Sequence, residues 1–444
     1  MSKRLYLLMI LFFIMAVSSC DDGEEISEPS YISSDSVVKM GGVLPFTGSL
    51  SEDGKPRHQS ALLATKHLAE AGFPVEWTVV DSKSDPDSAV EAARDLVEKG
   101  QVQVIIGASS SGVTIEVAKN VSIPNQVPQI AIASTSPAIT TLADQDFLFR
   151  TAPSDALQAV VLARLASGTL KDVNLPRSSS AHSGYKRVSV LYVEGTYGQG
   201  LNDVFTKHFD ELGGEKVVAV SHPEVPISDL ENKALLRQIL LPSLQQAYAD
   251  GETEVLIAMS YTGYAEVFLQ QAIENNLFDK FLFVDATKSQ RQLENSSVGP
   301  HLEGMCGTAP GSEPTEEFLE VFNTDYKAEY GEEPPSLSFM FNTYDAVIIA
   351  GLAAYAAQAI GEAVTPITIR EYLRRVNDPD GEKIIAGKTE KLKRAMKILD
   401  SGLTIDYQGA SGDVNFDDNG DVITPIEIWC YQGGEMVSQG NEQP

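Results

Sequence analysis

The sequence predicts an α/β protein of two lobes, each a doubly wound parallel sheet. Two observations lead there. From residue 38 short apolar runs alternate with segments of helical periodicity, and after Arg150 the alternation begins again as a second series. Strand–helix alternation feeds parallel sheets covered by helices on both faces. The length, 444 residues, accommodates two domains.

In chain order, "VVKMGGVLPF" (37–46) reads as a strand and "SALLATKHLAEAG" as a helix ending at Gly72. "VEWTVVDS" (75–82) is a second strand. Residues 85–100 are a well-marked helix: Asp85 can cap it, Pro86 suits its first turn and Gly100 ends it. Ala89, Ala92, Ala93, Leu96 and Val97 share one face of it. A strand at 102–106, a helix from about Gly112 and a strand at 128–133 follow. The second series has strands at 186–193, 216–221, 254–260 and 281–285, with helices at 200–214, 230–251 and 265–276 between them. Residues 170–186 are a polar insertion, expected as a surface loop.

The N-terminus has a different character. "MSKRLYLLMILFFIMAVSSC" has a basic start (Lys3, Arg4), an apolar run from Leu5 to Val17 and small residues before Cys20, the layout of a bacterial secretory signal. The run is short for a membrane span. "VSSC" resembles the lipobox of bacterial lipoproteins, which implies lipidation of Cys20 after removal of residues 1–19. Asp21 resembles the inner-membrane retention signal of some Gram-negative lipoproteins. The acidic stretch 20–35 reads as a flexible tether. With 33 basic and 62 acidic residues, net −29, the chain lacks the basic face that nucleic acid requires. Export permits a disulfide, and besides Cys20 only Cys306 and Cys430 remain. No CxxC or Cys/His cluster suggests a metal.

The stretch "VQVIIGASSSGVTIEVA" (102–118) places Gly and Ser where a strand meets a helix. A Walker loop needs Lys after its second Gly, which is absent after Gly112; the "GKT" at Gly387 has no strand before it. A nucleophile elbow, G-x-S-x-G, meets Ser111 where its second Gly belongs, and none of the six histidines sits in a catalytic signature. A third reading is a carboxylate grip, with N–H groups and serine hydroxyls meeting an anion. Simple capping of the helix by one serine explains the stretch equally well. The loop "ASTSPAITT" from Ala133 adds weight to the grip, because Ala133, Ser134 and Thr135 follow a neighbouring strand, with Pro137 expected to stop regular structure.

Taken together, "GGVLPFTGSL", "VVDSKSDPDSAVEAARDLV", "IIGASSS", "ASTSPAIT", "FLFRTAPSD", "YGQG", "FMFNTYDAV" and "GDVNFDDNGDV" resemble the type I periplasmic binding fold, specifically the leucine/isoleucine/valine-binding proteins of branched-chain amino-acid ABC transporters. The resemblance runs over most of residues 36–435. It implies that Ser111 and Thr135 hold a ligand carboxylate together with the Ala133–Ser134 main chain, Ala133 offering its carbonyl to the ammonium. Ser109 and Ser110 are register alternatives to Ser111. From the second lobe it implies Tyr197 of "YGQG", Tyr261 after "IAMS" and Asp285 of "FLFVD" as the ammonium's partner, with Phe339 as an aromatic wall. On their own, the tyrosines also fit rim aromatics and Asp285 a helix cap. "GSLSEDGKPR" carries Glu52 and Asp53 where close relatives present an aromatic, which leaves branched-chain selectivity open. "NFDDNGD" (415–421) begins like an EF-hand, but position 426 is Ile, so a turn is expected and not a calcium loop.

The resemblance further implies lobe 1 at 36–152 plus 308–425 and lobe 2 at 153–307 plus 426–444, joined by a three-segment hinge. Cys306 and Cys430 then lie near the hinge and are expected to pair. The function implied is that of a membrane-tethered, periplasmic or cell-surface solute-binding lipoprotein. It would act as a monomer without catalysis, cofactor or metal, delivering an amino acid to a membrane permease. The alternatives are a binder of another small carboxylate, amide or aromatic acid, and a ligand-sensing or regulatory domain of the same fold.

Overall fold

The computed structural model describes residues 37–248 and 251–444. The expected signal peptide, tether and lipidation site at Cys20 lie outside the described residues.

The first half of the chain supplies β1 (Val38–Leu44), α1 (Ser51–Ala71), β2 (Val75–Asp81), α2 (Pro86–Glu98), β3 (Val104–Gly107), α3 (Ser111–Val117), β4 (Gln129–Ala131), α4 (Pro137–Thr140) and β5 (Leu148–Arg150). Among the described residues the five strands form one parallel sheet in the order β2-β1-β3-β4-β5. β1 has β2 on one side and β3 on the other, a topological switch point, and ligands collect beyond the carboxyl ends of strands at such points.

The chain continues through α5 (Asp155–Ser167), β6 (Arg187–Val193), α6 (Thr196–Glu211), β7 (Lys216–His222), β8 (Val255–Met259), β9 (Phe281–Phe283) and β10 (Cys306–Pro310). It then turns back to pack the helix Met340–Ala359 against α1. A small sheet follows: β11 (Glu382–Ile385), β12 (Ile405–Gly409) and β13 (Gly412–Asp413). β14 (Ile426–Gln432) and β15 (Glu435–Glu442) return to the second sheet, ordered β15-β14-β10-β9-β8-β6-β7. The fold is therefore α/β with two doubly wound sheets. The second is not wholly parallel: β14 runs antiparallel to β10, and β15 to β14. The reversal from β14 to β15 is local, because Gly433 (φ 61°) and Gly434 (φ 83°) make a two-residue hairpin that needs positive φ at both positions.

The two large sheets have separate cores. One gathers Met40, Ile106, Ile130, Phe149 and much of Met340–Ala359; the other gathers Val190, Ile257, Phe268, Phe283 and Trp429. The helix Met340–Ala359 is apolar and long enough to cross a membrane, yet 89 % of its most apolar window is buried inside the protein, as a core helix would be. Cys306 and Cys430 are register partners across β10 and β14, their Cα atoms 4.0 Å apart, and are joined by a disulfide.

Three boundaries that differ from the sequence reading bear on the cleft. α1 starts at Ser51, so "SEDGKPR" is helical despite Gly54 and Pro56, both poor helix formers. Gly54 is needed there because a Cβ would sit 2.3 Å from the Pro45 carbonyl oxygen. α6 starts at Thr196 and so includes Tyr197. Pro137 opens α4 instead of stopping structure, since a first-turn proline loses no helical hydrogen bond and Ser136 caps the turn.

Candidate functional site

The loops beyond β1, β3, β4, β8 and β9 converge on a narrow cavity of about 40 Å³. Ser109–Ser111, between β3 and α3, form one wall. None of their hydroxyls caps α3: the N-cap Ser110 makes no side-chain cap bond among the described residues. Its hydroxyl lies 3.3 Å from the Tyr261 hydroxyl. Ser111 Oγ accepts from the Ser136 N–H at 3.1 Å. A hydroxyl has one proton and two lone pairs, so Ser111 keeps its proton to donate. Ser109 Oγ is buried and has no partner among the described residues.

In the second loop only Ala133 reaches the cavity. Ser134 and Thr135 are fully buried behind the wall. The Ser134 hydroxyl is engaged by Thr114 Oγ1 at 2.7 Å and by the carbonyls of Ala108 and Ser109. Thr135 faces Asp155, whose N–H donates to the Thr135 carbonyl at 2.7 Å. Ser134 ties the two loops together, Thr135 holds its loop to the start of α5, and neither lines the cavity. Arg150 holds the same loop from beneath by donating to the Ser134 and Ser136 carbonyls. Its charge is met by Asp421. The "NFDDNGD" segment is thus a turn: Asp417 accepts from the N–H groups of Asn419 and Asp421 and aims the Asp421 carboxylate at Arg150. Among the described residues no group of three or more His, Cys, Asp or Glu is placed to hold a metal.

The opposite wall carries Asp285, just past β9. Its Oδ1 accepts from the Tyr197 hydroxyl at 2.8 Å and from Gln158 Nε2 at 2.9 Å. Burial pushes its carboxyl pKa up, while the bonds from Tyr197 and Gln158 hold it back. Asp155 is driven well above the ordinary carboxylate range, first by burial and then by the Asp285 charge, against the pull of Thr135 and Arg150. The buried Asp285 carboxyl, which lines the cavity and is felt by Asp155, makes that end of the cavity receptive to a cation. Tyr197 and Tyr261 stack with centroids 5.6 Å apart and planes 10° from parallel, and Phe339 closes the far side.

Ser111, Ala133, Tyr197, Tyr261, Asp285 and Phe339, singled out in the sequence, therefore line one cavity. The sequence reading missed Arg57. It lies one helical turn beyond Asp53, pairs with it at 2.8 Å and covers the Phe339 ring at 5.2 Å. The i,i+4 spacing would have shown it, had the helix been carried back to Ser51. Lys288, Leu337 and Ser289 also line the cavity without a sequence signal. No site serine meets a histidine among the described residues; the Ser260–His222 bond, 2.7 Å, is fully buried outside the lining.

The family model described as receptor family ligand binding region matches residues 57–434. The chain is 25 % identical over 397 residues to the chemotactic signal transduction system substrate-binding protein BasB of Halobacterium salinarum, covering 85 % of this chain and 83 % of that protein. Leucine binding protein LivK of Thermotoga maritima superposes with a TM-score of 0.68 at 23 % identity, over 92 % of this chain and 99 % of LivK. An ABC-transporter solute-binding protein of Rhodopseudomonas palustris, solved with 3,4-dihydroxybenzoic acid, superposes with a TM-score of 0.65 at 18 % identity, over 92 % and 97 %. At these identities the two structures attest the fold. With the family model spanning most of its length, the chain belongs to the receptor ligand-binding-region family, the type I periplasmic binding proteins.

Proposed function

We propose that this chain is an extracytoplasmic solute-binding lipoprotein, anchored through Cys20, that encloses an α-amino acid between its lobes and delivers it to the permease of an ABC transporter. The lobes are 36–152 plus 308–425 and 153–307 plus 426–444. The observation that carries the reading is the polarity of the cavity. Ser109–Ser111 bring hydroxyl donors to one wall, and the buried Asp285, oriented by Tyr197 and Gln158, stands on the other. A zwitterion needs donors for its carboxylate and an acid for its ammonium, and a dry cleft strengthens both. LivK, similar in fold, is described as a leucine-binding protein.

A second reading, an aromatic acid as ligand, draws on the stacked Tyr197 and Tyr261 and on the dihydroxybenzoate of the Rhodopseudomonas structure. It leaves Asp285 without a role, so the amino acid is preferred. A chemotactic role in place of transport draws on BasB and uses the same cavity. A thermal-shift screen decides the ligand class: ligand at 100 times its Kd adds about 2.7 kcal/mol. α-Amino acids should raise Tm, and their deaminated analogues and benzoates should not; the reverse pattern defeats the proposal.

A further inference from the structure

A buried ion pair on α1 forms part of the cavity wall, within reach of the Asp285 charge. Asp53 and Arg57 stand one turn apart on α1, Arg57 Nη2 donating to Asp53 Oδ2 at 2.8 Å, and both line the cavity. Arg57 is only 3 % exposed and its Nε has no acceptor among the described residues. A buried guanidinium N–H without a partner is costly unless something arrives to accept from it. Resting on the α-amino-acid reading above, we propose that the cleft is selective for an amino acid with a carboxamide side chain, and that Asp53 and Arg57 set this specificity.

Chemistry separates this class from its competitors. An aliphatic side chain would cover the pair, strip its remaining water and leave Nε unsatisfied. A side-chain carboxylate would satisfy Nε but bring a negative charge against Asp53. The cavity cannot offset that charge, because Arg57 is engaged by Asp53 and Lys288 by Glu427 at 2.6 Å, while Asp285 is reserved for the ammonium. A carboxamide is neutral, its carbonyl accepts from Nε and its NH₂ donates to Asp53. Sites built around such bonds reject analogues that cannot make them far more strongly than apolar pockets reject a missing methylene.

The experiment is isothermal titration of the full chain, freed of copurified solute by dialysis, with glutamine, asparagine, glutamate, leucine and isoleucine. Glutamine or asparagine should bind at least about tenfold more tightly than leucine, isoleucine and glutamate. The double variant Asp53→Leu/Arg57→Leu, which leaves no lone buried charge, should invert the order toward leucine. Leucine, isoleucine or glutamate binding wild type as tightly as the carboxamides overturns this specificity while the α-amino-acid reading stands. No binding by any α-amino acid removes that reading and the specificity with it. The wild-type ranking decides the matter even if the double variant does not fold.

Discussion

Arg150 meets Asp421 through two hydrogen bonds, Nε to Oδ1 at 2.6 Å and Nη2 to Oδ2 at 2.7 Å, across 271 positions of sequence. Arg150 is fully buried, and its third group reaches the carbonyls of Ser134 and Ser136. Removing one partner of such a pair leaves a lone buried charge, at about 3–5 kcal/mol. Asp421→Ala should lower the urea midpoint accordingly and also weaken ligand binding, because the loop behind the cavity loses its anchor. A variant with full stability would show the pair to be dispensable.

Ser111→Ala removes a donor proton that has no protein acceptor among the described residues. A hydrogen bond to a charged group contributes about 1.5–3 kcal/mol, so amino-acid affinity should fall roughly tenfold to a hundredfold by calorimetry. Unchanged affinity would mean that the hydroxyl serves only the Ser136 N–H.

Asp285→Asn keeps the shape and removes the charge. Affinity for α-amino acids should fall by at least about thirtyfold, within the 2–5 kcal/mol lost when a buried charge pair is broken. The pH dependence has a definite sign. The free-state pKa of Asp285 is raised, and the ammonium needs the ionised form. Affinity is therefore full above that raised pKa and declines as acidification protonates the group. In Asp285→Asn this decline should flatten; an equally steep profile would assign it to other groups.

Asp345 carries a stability prediction. It accepts from Tyr407, the Ala410 N–H and the Ser411 N–H and hydroxyl, yet burial raises its pKa to about 6. A carboxyl raised in the fold stabilises fully below its unfolded pKa, and that contribution is lost as pH rises through about 6. Between pH 5 and 8 the loss is about 1 kcal/mol. Urea titrations of Asp345→Asn should show a shallower fall over this window than wild type.

The Cys306–Cys430 bond closes a loop 124 positions long. Bonds of this kind stabilise by about 2–4 kcal/mol. The Cys306→Ala/Cys430→Ala pair should unfold at correspondingly lower urea while keeping ligand affinity, since neither residue lines the cavity.

β1–β4 and β6–β9, with helices such as α1, α2 and α6, were legible because apolar periodicity is imposed by burial, residue by residue, whereas β5, α5 and the strands after β9 carry too little local pattern to stand out. Asp285 and Tyr197, 88 positions apart, were reachable only through family resemblance, since nothing local links them. Arg57 was missed because Gly54 and Pro56 mask a helix that tertiary packing sustains. Ser134 and Thr135 lie behind the cavity wall. A hydroxyl beside a strand end reads the same in sequence whether it meets a ligand or the neighbouring loop.

The two walls of the cleft also touch each other directly. Ser136 Oγ donates to the Thr196 carbonyl at 2.8 Å, Ser110 meets Tyr261, and Arg291 reaches Glu52. On the solute-binding reading these links would act as a latch, with residence time set by how often they open as well as by what the solute touches. The Arg291–Glu52 link is partly exposed and thus weakened by salt. Ionic strength should quicken exchange of the solute more than it changes the solute's preference for the closed cleft.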